Sequence, residues 1–139
     1  MNEVLSHAIQ AVASERGGKF DDAFRAAKVL VAEYGETDIA NRIALEVPDS
    51  VSWEVVADLL GILQWSTEDN GASIHYSAER WLLDGDDLRK IQIALHLDTY
   101  PFIDLQRMRQ VLEYLAQTRP EVAARCRTLI EQRSAEASA

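Results

Sequence analysis

The stretch ERWLLDGDDLRK (79–90) places Asp84, Asp86 and Asp87 around Gly85, the one carboxylate spacing in the chain that suggests a metal loop. A calcium loop of the EF-hand kind needs oxygen ligands at positions 1, 3 and 5, glycine at 6 and glutamate at 12. Counted from Asp84, position 5 is Leu88, position 6 is Arg89 and position 12 is Leu95, so the pattern fails. The residues fit a helix junction instead. Gly85 ends one helix in a left-handed conformation, Asp86 caps the next, and Asp87 sits in its first turn where the helix dipole favours an acid.

Histidine chemistry is the next candidate. His75 and Glu79 are spaced i,i+4 and share a helical face, and His96 and Asp98 close the following helix. A metal-dependent hydrolase on His75, Glu79 and His96 is therefore one alternative, although no HExxH motif supplies the remaining ligands. Nucleophilic catalysis has no support: there is no Gly-x-Ser-x-Gly elbow, and Gly17-Gly18 lacks the Lys-Ser/Thr of a phosphate loop. Cys126 is the only cysteine, which excludes an internal disulfide and suits a reducing compartment. It is spaced with Val122 and Leu129 as a small core hydrophobe. The reading is of a non-enzymatic chain with no cofactor and no metal.

The elements that carry these residues are helical throughout. Val4, Leu5, Ala8, Ile9 and Val12 form a first stripe, stopped at Gly17-Gly18. Phe20, Phe24, Ala27, Leu30, Val31 and Tyr34 form a second, ending at Gly35. A short third helix is capped by Thr37, and Ser50 or Ser52 caps a fourth, VSWEVVADLLGILQW. That fourth segment is apolar on nearly all sides and is the best candidate for the central buried helix. STEDNG (66–71) is the clearest loop, with turn chemistry at Asn70-Gly71. Helices over about 72–83 and 87–97 follow, then a break at Pro101. Leu105, Met108, Val111, Leu112 and Leu115 form the seventh stripe. The eighth is opened by Thr118 with capping-box spacing to Glu121 and buries Val122, Cys126, Leu129 and Ile130.

The fold expected is all-α: about eight helices in four antiparallel αα-hairpins, as a compact bundle or a short HEAT-like stack. The hairpins begin near residues 4, 38, 73 and 103, intervals close to those of helical repeats. Residues 1–133 are expected to form one helical domain and 134–139 a frayed C-terminal tail.

Charge narrows the function classes. The chain of 139 residues carries a net charge of −9, which argues against nucleic-acid binding. The excess is confined to the middle. Residues 29–87 hold thirteen acids against Arg42 and Arg80, whereas residues 1–28 sum to zero and residues 88–139 to +2. All three tryptophans, Trp53, Trp65 and Trp81, fall in that acidic segment with Tyr76. Tryptophan and tyrosine dominate interface energetics, and surrounding acids steer a basic partner. Trp81, within RWLL, reads as core. Trp65 stands where an apolar helix meets a polar loop and is the one expected to be half exposed. The candidate partner-binding residues are Glu54, Asp58, Trp65, Glu68, Asp69, Asp84, Asp86 and Asp87. No apolar run reaches the ~20 residues a membrane span needs. The N-terminus MNEVLSHAIQ lacks a signal layout, so the expectation is a cytoplasmic protein with a protein partner and neither nucleic acid nor membrane. An exposed stripe on the first or last helix would serve a homo-oligomer.

The stretch ERWLLDGDDLRKIQIALHLDTYPFIDLQRMRQVLEYLAQTRPE (79–121) resembles helical immunity proteins of bacterial polymorphic and contact-dependent toxin systems. The resemblance implies binding to a cognate toxin domain, blocking its active site or its substrate access, through an acidic surface where the toxin is a basic nuclease. A helical scaffold or adaptor that holds a partner in a solenoid groove is the other reading from binding.

Overall fold

The computed structural model describes residues 1–138. The fold is all-α: α1 (Glu3–Glu15), α2 (Asp21–Tyr34), α3 (Ile39–Glu46), α4 (Trp53–Ser66), α5 (Ala72–Asp84), α6 (Leu88–Leu95), α7 (Leu105–Thr118) and α8 (Ala123–Ser138), with a 3-10 turn over Pro120–Val122. It divides into two compact units, Met1–Ser77 and the residues from Ala78 onward. No helix among the described residues is long and apolar enough to cross a membrane.

In the first unit α1, α2 and α4 pack on one another. The first two stripes read from the sequence supply Leu5, Ala8 and Val12 of α1 and Ala27 and Leu30 of α2 to the core. Ala23 joins them from outside the second stripe, Phe24 of that stripe is exposed instead, and α3 adds Ile39, Ala40 and Ile43. The continuous apolar character of α4 has a direct cause, because Val55, Val56, Ala57 and the whole run from Leu59 to Gln64 are buried. Close pairing of successive helices is therefore strongest for α1–α2, while α4 turns to that pair rather than lying along the short α3.

Helix starts show where local chemistry is overridden. The residue before α2, Phe20, takes a left-handed conformation with no cap of its own. The Glu15 carboxylate caps that helix instead, accepting hydrogen bonds from the amides of Asp22 (3.3 Å) and Ala23 (2.7 Å). The cap expected of Thr37 is not made: α3 starts after Asp38, which is left-handed and makes no side-chain cap. Ser52 caps α4, accepting from the amide of Glu54.

In the second unit α7 packs along α8. Its core holds Trp81, Leu82, Ile91, Leu95, Phe102, Met108, Leu112, Leu115, Val122, Cys126 and Leu129. Thr118 is the last residue of α7 and donates its hydroxyl to the carbonyl of Tyr114, so it does not cap α8 as its spacing to Glu121 suggested. Three arginines of this unit work inward. Arg119 donates to the carbonyl of Gly85 (2.8 Å), Arg125 to that of Leu95 (3.0 Å), and Arg133 to those of Pro101, Phe102 and Ile103. Each satisfies carbonyls that a helix end or an irregular segment leaves without partners. The Arg133 clamp holds Phe102 at a φ of 64°, a conformation that side chains other than glycine rarely adopt. Arg133→Met, which keeps the stem and removes the donors, is expected to lower stability by about 2 kcal/mol. Urea unfolding of the two forms measures this.

Candidate functional site

The eight acidic and aromatic positions singled out from the sequence fall into two groups, one in each unit. In the first unit, Glu54, Asp58 and Trp65 stand at i, i+4 and i+11 of α4 and therefore share one face of the helix. Eleven residues at the α-helical rise set Glu54 and Trp65 about 16 Å apart along it. Trp65 is 77% exposed, far more than the half exposure its position suggested, whereas Trp81 is buried and Trp53 half-buried. Glu54 and Asp58 are not bare. Arg16, just past the end of α1, donates from Nε to Asp58 Oδ2 at 2.8 Å and sets Nη1 3.7 Å from Glu54 Oε2.

Trp65 runs straight into the acidic turn at 67–71, and this turn is tightly ordered. The Glu36 carboxylate accepts from the amides of Glu68 (2.8 Å) and Asp69 (3.2 Å). Gly71 N–H donates to Thr67 Oγ1 (2.8 Å) and to Asp69 Oδ1 (2.9 Å), and Ser73 N–H donates to Asp69 Oδ2 (3.1 Å). Asn70 and Gly71 are both left-handed, which reverses the chain within two residues. Asp69 thus caps the start of α5. Burial pushes its carboxyl up, but hydrogen bonds from the Thr67 hydroxyl and the amides of Ser73, Gly71 and Ala72 outweigh that and hold it below the usual carboxylate range. A depressed folded-state value means that its contribution is complete above the unfolded value and is lost as pH falls through the folded one. Asp69→Asn is therefore expected to flatten the loss of stability below about pH 4, where the parent chain loses the cap charge. Thermal unfolding from pH 6 to 2 tests it. Glu68 is exposed, and among the described residues its carboxylate makes no hydrogen bond or ion pair.

In the second unit Gly85 ends α5 with a φ of 64°, as the junction reading expects. The cap is displaced by one position: Asp87, not Asp86, precedes α6 and accepts from the amide of Lys90 at 3.1 Å. Asp84 lies 3.7 Å from Arg80, one turn earlier on α5. Asp86 is left exposed, its carboxylate outside both the cap and the ion pair.

The histidine alternative gains nothing from the geometry. Among the described residues no three His, Cys, Asp or Glu side chains come together to hold a metal ion. Glu79 Oε2 accepts from the amide of Phe102 (3.2 Å), and His96 Nδ1 lies 2.8 Å from the carbonyl of Gln92. Cys126 is fully buried; that burial, against the opposing charges of Arg127 and Arg125, pushes its thiol up to about 11. It is expected to be silent toward a thiol reagent at neutral pH in the folded chain and to react fully in denaturant.

Several surface features escaped the sequence reading. Glu36 and Arg16 act on residues more than thirty positions away, and neither sits in a recognisable motif. Leu45 is 86% exposed on α3 and Ile103 95% exposed before α7. Leu45 was legible in principle, because it lies off the Ile39–Ile43 stripe. No protein-family model, no curated protein and no solved structure matches the chain.

Proposed function

We propose that this chain is a non-enzymatic protein-binding module, an immunity protein of a bacterial toxin system that binds a cognate basic toxin domain in the cytoplasm and occludes it. The observation that carries the reading is the exposed indole of Trp65 at the edge of an ordered acidic turn. An exposed tryptophan on a rigid support is the form that a binding anchor takes: its burial on a partner releases a large apolar area, and little conformational freedom is lost. Glu68 and Asp69 beside it, with Glu54 and Asp58 on the same face of α4, supply the field that draws a cationic surface in. Asp84, Asp86 and Asp87 of the second unit are candidate contacts of their own for a basic partner. The net charge of −9 and the resemblance of residues 79–121 to helical immunity proteins point the same way.

An immunity gene is expected to follow a large gene with a toxic C-terminal domain. The test is therefore co-purification with the C-terminal domain of the protein encoded directly upstream, followed by stopped-flow kinetics of the complex. The association rate is expected to fall about tenfold between low and half-molar salt, with the dissociation rate changing much less. Failure to co-purify, or an association rate indifferent to salt, counts against the reading.

A further inference from the structure

A groove of about 850 Å³ runs between α1 and α2. It is built from two helical stripes, residues 3–4, 7, 10–11 and 14 on α1 and 22, 25–26 and 29 on α2. Ala11 and Ala26 form a floor of small side chains, and Val4 and Val29 add apolar walls. Val29 is 54% exposed, although the next residue along α2, Leu30, is fully buried. Small floors flanked by branched side chains accept the ridge of another helix.

We propose that this groove is a self-association surface, against which a second copy of the chain packs its own α1–α2 hairpin across a two-fold axis. Charge selects this occupant. Two copies of a chain carrying −9 repel each other, and the repulsion is worst wherever residues 29–87 approach their equivalents. Residues 1–28, which supply all but one of the groove residues, sum to zero. The rim carries both signs, with Glu3 and Asp22 against Arg25, so a face rotated onto itself can set acid opposite base. A basic partner drawn to the acidic middle meets only one net negative charge on this rim, two acids against Arg25, compared with the excess of eleven over residues 29–87. The Asp22–Arg25 ion pair on the rim lies in solvent and is easily exchanged for one across the interface.

Sedimentation equilibrium of the full chain from about 10 µM to about 1 mM tests the proposal. A concentration-dependent dimer is expected. Val29→Asp and Arg25→Glu, both at exposed positions and checked for native helicity by circular dichroism, are expected to weaken it at least about tenfold. Leu45→Ala, exposed on α3, is expected to leave it unchanged. A chain that stays monomeric over the whole range overturns the proposal, as does a dimer that ignores both groove substitutions or is lost with Leu45→Ala.

Discussion

Gly71→Ala is expected to lower the stability of the chain by about 3 kcal/mol, through backbone strain and overpacking together. Gly71 has a φ of 81°, and a Cβ added there would lie 2.9 Å from Cβ and Cγ of Gln64 and 3.2 Å from its Cα. Gln64 is itself buried near the end of α4, and its Cβ cannot swing away as a side-chain tip could. Gly17→Ala provides the internal standard. Gly17 has a similar φ of 85°, but nothing lies within 4 Å of an added Cβ, so only the conformational part of about 1 kcal/mol is lost. Chemical denaturation of the two variants separates the terms. Equal losses would mean that the close approach between the turn and α4 does not exist. On the proposed function Gly71→Ala is also expected to weaken partner binding, because Gln64, against which Gly71 packs, precedes Trp65 on α4, whereas Gly17→Ala is not.

Trp65→Ala is the opposite case, with a large effect on binding and a small one on folding. The side chain is mostly in solvent, so its removal is expected to change stability by no more than about 0.5 kcal/mol. On the proposed function the same substitution costs about 2 kcal/mol or more of binding free energy, at least roughly a thirtyfold rise in Kd. Calorimetric titration with the toxin domain, beside thermal unfolding of the free variant, measures both quantities. A variant that unfolds several degrees early would make Trp65 a packing residue, and unchanged affinity would remove it from the interface.

How much of this was legible in the sequence differs by physical origin. The helices and their inward faces were readable because burial imposes a period, and α4 stood out because its burial is nearly all-round. Trp81 and Cys126 followed from the same reasoning. Helix starts were less readable. Asp86 and Asp87 are chemically identical neighbours, and only the backbone path decides that Asp87 reaches the Lys90 amide. Thr118 had the spacing of a cap, but its hydroxyl turns back to Tyr114 within α7. Phe20 starts α2 from a left-handed conformation that a bulky residue rarely adopts, and Asp38, a residue type that tolerates it, starts α3 from the same region.

The candidate site was half legible for a related reason. Composition located Trp65, Glu68 and Asp69, since an aromatic at the junction of an apolar helix and an acidic loop is visible in one dimension. What orders the turn was not visible. Glu36 reaches it from 32 residues away, and Arg16 reaches Asp58 from 42, so neither contact leaves a local pattern. The consequence is a revised picture of the acids. Asp69 and Asp87 are caps, while Glu54 and Asp58 share a guanidinium and Asp84 lies beside Arg80. Glu68 and Asp86 are exposed and take part in neither a cap nor an ion pair.

If the chain neutralises a toxin domain through the Trp65 surface, it must protect cells from that domain. The measurement is growth of cells producing the C-terminal domain of the protein encoded directly upstream, with the parent chain, the Trp65→Ala Glu68→Lys variant or no second protein supplied alongside. The parent chain is expected to restore growth, and the folded double variant, made in equal amount, is not. Growth arrest that the parent chain fails to relieve, or relieves no better than the double variant, overturns the proposed function.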